Sequence, residues 1–133
     1  MRYLLDTNIC IAIIKQQPPV TLRHLQKCLV GDVAVSTITV AELRYGAAKS
    51  QATVRNQQAL DQFLVSLVVA EFGINEAQAY GLLRADLEKR GMLIGPLDML
   101  IAAHAITLGA TLVTNNTREF KRVKGLSIED WTK

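Results

Sequence analysis

The stretch Arg2-Tyr3-Leu4-Leu5-Asp6-Thr7-Asn8 decides the fold. A short, β-prone apolar run ends abruptly in a carboxylate, a hydroxyl and an amide, and a helical pattern follows. This reads as a strand handing over to a helix, with Thr7 or Asn8 as the predicted cap and an end near Lys15. In an open α/β sheet, ligands gather outside the carboxyl ends of the strands. An acid at the end of a first, central strand is therefore well placed to begin a site. The plainer reading is that Asp, Thr and Asn simply leave a strand and cap a helix. What decides between the two lies further along the chain.

Working outward, the strand–helix pattern recurs. A second helix is predicted over residues 19–30, with Leu22, Leu25 and Leu29 on one face and Gly31 as its stop. Residues 33–36 form a second strand, and a hydroxyl-capped helix follows over 37–46. Residues 53–66 read as helix, and 67–72 contain a third strand. Asn75 with Gln78 predicts a capping box for a helix ending near Arg90-Gly91. Pro96 suits the first position of the next helix, which runs to Leu108, is apolar nearly all round, and stops at Gly109. Residues 111–114 are a fourth strand, and the tail over 125–131 predicts a short edge strand. Strands alternating with helices predict a three-layer α/β/α fold around a central, mainly parallel sheet of four to five strands. Without a repeat or linker, residues 1–133 read as a single domain.

Half of the chain is hydrophobic, enough for a sizeable core and against disorder. The net charge of +3 is compatible with a polyanionic partner. Cys10 and Cys28 sit in apolar patterns without a second sulfur or histidine cluster nearby, as small hydrophobes in a reducing compartment do. No segment reaches the roughly 20 apolar residues of a membrane span. The apolar start is broken by Asp6 and Asn8, against a signal peptide, so the expected location is the cytoplasm.

Three acids resist a bland explanation. Glu42 has Ile38, Thr39, Tyr45 and Gly46 at helical spacings, so no cation supports it on the helix surface. Asp98 sits in the first turn of the most hydrophobic helix. An acid there meets the helix macrodipole favourably, yet a helix this apolar leaves little surface for a solvated acid. Asn115, Asn116 and Glu119 follow the fourth strand as a turn or as further oxygen donors. Asp6, Glu42 and Asp98 all follow strands or loops that can converge on one sheet edge. Clustered carboxylates repel and call for shared protons or a hard cation, and all-oxygen ligation suits Mg²⁺ or Mn²⁺. Such a centre in a basic protein points to phosphodiester hydrolysis. His24 and His104 read as structural, which disfavours a metal-free two-histidine mechanism. Arg118, Lys121, Arg122 and Lys124 follow the site edge, as a solvated segment or as phosphate contacts. With few aromatics, no stacking stripe is visible.

Four segments then carry a resemblance: Leu5-Asp6-Thr7-Asn8, Ser36 through Gly46, Gly95-Pro96-Leu97-Asp98, and Leu112 through Phe120. In this order and spacing, over essentially the whole chain, they resemble the motifs of PIN-domain ribonucleases, and more closely the VapC toxins of bacterial toxin–antitoxin pairs. Glu129-Asp130-Trp131 is similar to the ending of the enterobacterial branch. The resemblance implies a Mg²⁺-dependent endoribonuclease, with Mn²⁺ as substitute, held inactive by a VapB antitoxin and assembled as a homodimer. It implies Asp6, Glu42 and Asp98 as catalytic and metal-site residues, and Thr7, Asn8, Thr114 and Asn115 as supporting polar groups. The family's fourth acid falls where this chain offers Asn116 and Glu119, so the ligands of a second metal stay open. Arg118, Lys121 and Arg122 are the RNA-binding candidates. The branch cleaves initiator tRNA in the anticodon loop. The implied antitoxin groove, and part of the dimer contact, lie on the helical pair over 38–66. The alternative is a PIN-like module that holds RNA without cutting it. A haloacid-dehalogenase-type phosphatase is disfavoured, because it needs an acid where Asn8 stands.

Overall fold

The structure is a computed structural model that describes residues 1–133. Five strands, β1 (Tyr3–Leu5), β2 (Val33–Ser36), β3 (Val68–Ala70), β4 (Thr111–Val113) and β5 (Ile128–Glu129), form one sheet in the order β3-β2-β1-β4-β5. Every neighbouring pair is parallel, with Leu5 of β1 opposite Val35 on one side and Val113 on the other. The connections are helical, as parallel pairing requires. They are α1 (Thr7–Lys15), α2 (Pro19–Gln26), α3 (Thr37–Lys49), α4 (Thr53–Val65), α5 (Ile74–Lys89), α6 (Pro96–Leu108) and α7 (Thr117–Phe120). No helix is long and apolar enough to cross a membrane.

The central strands are apolar throughout because both faces of the sheet are covered. Leu4, Ala34 and Leu112 pack on one face with Leu87 of α5 and Met99, Ile101 and Ala102 of α6. Leu5, Val35 and Val113 pack on the other with Ile9, Cys10 and Ile13 of α1 and with Trp131. Helix α6 is apolar nearly all round because Met99 and residues 101–105 are all buried. It ends at Gly109, whose left-handed backbone (φ 65°) suits glycine.

Three local expectations shift. The cap of α1 is Asp6 rather than Thr7 or Asn8, and its Oδ1 accepts from Ile9 N at 2.9 Å. Helix α2 stops at Gln26 rather than Val30, and Leu29 and Val30 are exposed, so the apolar spacing beyond Gln26 marks no buried stripe. Helix α5 is closed by Glu76, whose carboxylate accepts from Gly73 N at 3.3 Å, not by Asn75 with Gln78.

The chain steps from β1 to β2 to β3 in one direction, then returns through α5 and α6 to β4 on the other side of β1. This reversal leaves a crevice at the carboxyl ends of β1 and β4, the usual ligand position in such a sheet.

Candidate active site

Asp6 opens directly from β1 into that crevice. Its backbone N–H donates to Val113 O at 3.0 Å, which ties the position to β4. The side chain is only 6% exposed. Burial pushes its carboxyl up to about 6 from an ordinary 3.8. The Thr114 hydroxyl and the Ile9 N–H pull the other way, while the charges of Asp98 and Glu42 raise it further.

Glu42 comes from α3, a helix started by Ser36, whose Oγ accepts from Ile38 N at 3.0 Å. The half-buried Glu42 carboxylate accepts from Thr7 Oγ1 at 2.8 Å. One hydroxyl on α1 therefore fixes an acid on α3. Asp98 enters from the first turn of α6, half-buried. Its pKa is raised by burial first and then by the charges of Glu119 and Glu42.

The fourth contribution follows β4. Thr114 Oγ1 accepts from Asn116 N at 2.9 Å, and Asn116 Nδ2 donates to Glu119 Oε2 at 3.1 Å. Glu119 thereby faces the cluster with a neutral amide holding one oxygen. Asp6 thus stands in the field of Asp98 and Glu42, and Asp98 in that of Glu119 and Glu42, so four separate segments contribute. Asn8 and Asn115 are exposed and lie outside this hydrogen-bonded set.

Among the basic candidates, Arg118 and Lys121 are exposed. Arg122 is engaged within the protein. Its Nη1 donates to Leu93 O at 3.1 Å, and its own carbonyl accepts from Arg90 Nη2 at 2.7 Å. It ties the loop before α6 to the segment after α7. Gly95, in the Gly95-Pro96-Leu97-Asp98 motif, immediately precedes α6. A Cβ there would meet Asp98 Oδ2 at 3.3 Å, so this glycine keeps space open beside the acid. A Gly-Pro pair at a helix start is too common to signal such a role.

No three carboxylates already close on one point as a ligand cage. They offer oxygen only, and the neighbouring charges add to the burial that raises the Asp6 and Asp98 carboxyls. That donor chemistry fits a hard divalent cation, and the room kept by Gly95 fits it as well.

The PIN domain family profile matches residues 3–126. Ribonuclease VapC2 of Rickettsia felis is 45% identical over 134 residues, 100% of both chains. The chain belongs to the PIN-domain family, in its VapC ribonuclease branch. A second PIN relative, the tRNA(fMet)-specific endonuclease VapC of Shigella flexneri, is 42% identical over 132 residues and covers 99% of each chain. The crystal structure of DNA-bound VapBC from Salmonella typhimurium superposes with a TM-score of 0.93 at 40% identity, over 98% of each chain. Membership makes the crevice of β1 and β4 the candidate centre of an endoribonuclease.

Proposed function

We propose that this chain is the toxin of a VapBC-type pair and hydrolyses RNA at the crevice, with Asp6, Glu42 and Asp98 as its catalytic, metal-holding residues. The observation that carries the reading is the convergence of these carboxylates, with Glu119, on the switch point of a parallel sheet. Asp6 and Asp98, with Glu42, would hold Mg²⁺ or Mn²⁺, and Asn116 and Glu119 would complete the set. Such a cation, when bound, neutralises the carboxylates, lowers the pKa of an attacking water and stabilises charge on the phosphate and leaving oxygen. The protein's own residues set the geometry. The Ile9 N–H pins one oxygen of Asp6, Thr7 holds one oxygen of Glu42, and Asn116 holds one of Glu119. Arg118 and Lys121, exposed beside the site, would meet RNA phosphates.

The substrate we infer is initiator tRNA, cut in the anticodon loop. The support is whole-chain identity to endonucleases described as tRNA(fMet)-specific, from Shigella and Salmonella. The partner is a VapB-type antitoxin, supported by whole-chain similarity to VapBC complexes. A groove of about 370 Å³ between α1, α3 and α4, walled by Thr7, Ile11, Glu42, Leu43, Ala47 and Leu60, offers it an apolar seat beside the acids. The reading includes a homodimer, a single domain over residues 1–133 and a cytoplasmic location.

The test is cleavage of bulk tRNA by purified, antitoxin-free protein with Mg²⁺ or with EDTA. Discrete fragments with 5′-phosphate ends that require both metal and Asp98 are expected, and sequencing them gives the substrate. No cleavage from folded protein would move the chain to the RNA-holding alternative. Cleavage in EDTA would mean the chemistry is different.

A further inference from the structure

Beside the acids stands a side-chain pair that the hydrolysis does not use. Tyr45 on α3 is 66% exposed, and Lys49 Nζ lies 4.8 Å from its ring centroid. The other large aromatics are committed to packing or to a hydrogen bond. Tyr3 and Trp131 pack edge to face, Phe72 packs on His104, and Phe120 is fully buried. Phe63 and Tyr80 lie against the two cores, and the Tyr80 hydroxyl accepts from Arg84. Tyr45 is the one aromatic among the large exposed apolar side chains, and its ring meets Lys49.

Its place on α3 follows from helix geometry. Residues three apart are surface neighbours, about 5–6 Å between Cβ atoms, so Tyr45 lies beside Glu42. Ile38, seven positions before Tyr45 and on the same stripe, packs against the core that contains Met99, Ile101 and Ala102 of α6. Gly46, on the opposite flank of Glu42, lines the other groove with Thr7 and Leu60. Tyr45 therefore rises on the α6 side of Glu42, the side from which Asp98 enters the cluster.

We infer that Tyr45 is a stacking platform for one unpaired RNA base next to the scissile phosphate, with Lys49 contacting a neighbouring phosphate. Lys49 Nζ stands over the ring, and the 66% exposure of Tyr45 leaves surface for a base. Every base has a π-face, so the contact grips single-stranded RNA without reading its sequence, and the cation adds the salt-sensitive part. The acids alone would repel a polyanion. An aromatic and a cation at their rim explain how an unpaired loop is held there long enough to be cut. The inference rests on the RNA-cleavage reading above.

The test compares wild type with Tyr45→Ala, Tyr45→Phe and Lys49→Gln on a single-stranded oligoribonucleotide that the wild type cuts. A second substrate lacks one base beside the cut. Tyr45→Ala is expected to raise KM roughly 10-fold with kcat nearly unchanged, and Tyr45→Phe to behave as wild type. Removing the base should cost the wild type a similar factor and Tyr45→Ala nothing more. Lys49→Gln should lower the slope of log KM against log salt by about 1. An unchanged KM for Tyr45→Ala overturns the platform while leaving the nuclease intact. So does a KM loss that persists undiminished on the abasic RNA, or one accompanied by a changed oligomeric state in light scattering. A wild type that neither binds nor cuts RNA overturns both readings.

Discussion

Asp6 and His104 are both titratable and both buried, and the comparison between them separates a site from a mere burial cost. Burial drives each toward its neutral form, so the Asp6 carboxyl goes up and the His104 imidazole goes below its ordinary 6.5. Their surroundings differ. Asp6 accepts from Ile9 N, opens into the crevice, and is met by Glu42 and Asp98 from other elements. His104 is 0% exposed, neither ring nitrogen has a hydrogen-bond partner, and Glu76 Oε1 stands 3.8 Å from Nε2. Phe72 covers it edge-on, with ring centroids 5.5 Å apart. Burial alone marks a group that costs stability. Convergence of further carboxylates on an open crevice marks a site.

The strongest way to break this contrast is Asp98→Asn. It keeps the shape of the side chain and removes one charge from the cluster, so cleavage should fall more than about 100-fold while the circular dichroism spectrum stays native. Near-normal cleavage would remove Asp98 from the site. Next comes Thr7→Val, which frees the Glu42 oxygen held at 2.8 Å. A group that orients a ligand is expected to contribute about 10-fold or more, seen as lower kcat and a higher Mg²⁺ concentration for half-maximal cleavage. An effect on stability without one on kcat would reduce Thr7 to packing.

A smaller effect sharpens the His104 side. A histidine whose pKa falls on folding holds the fold together less well as pH drops below 6.5, because the unfolded chain takes up the proton first. His104→Leu should flatten that acid limb in denaturant titrations and leave cleavage intact. If cleavage is lost in folded His104→Leu protein, His104 belongs to the catalytic machinery after all.

The difference between the two regions also explains what the sequence made legible. Asp6, Glu42 and Asp98 stood out because each acid interrupts an apolar pattern at a strand end or inside a helix, and strand–helix alternation already implied a common edge. The hydroxyl cap of α3 and Gly109 as the stop of α6 are equally readable, since cap chemistry is local. Register was not. Asp6, Thr7 and Asn8 are all good caps, and only the pairing of β1 with β4 places the turn at Asp6. Helix α5 is capped at Gly73 with Glu76, two residues before the Asn75 and Gln78 box of the same spacing. The exposure of Tyr45 and the use of Arg122 to hold the Leu93 carbonyl are tertiary outcomes, invisible in spacing.

In the proposed function the fold tolerates these buried, like-charged acids because a cation site needs them, and Asp6 is the acid burial affects most plainly. A carboxyl raised on folding from 3.8 to about 6 makes metal-free protein lose stability as pH climbs through that interval, with a cost of about 3 kcal/mol fully present above it. Asparagine keeps the cap and cannot ionise. The measurement is the Tm of wild type and Asp6→Asn at pH 7.5, in EDTA and in Mg²⁺, with tRNA cleavage followed on the same samples. Asp6→Asn is expected to melt higher than wild type in EDTA, to respond little to Mg²⁺, and not to cut. An Asp6→Asn protein that melts lower in EDTA, gains as much from Mg²⁺ as wild type and still cleaves would contradict the cation site.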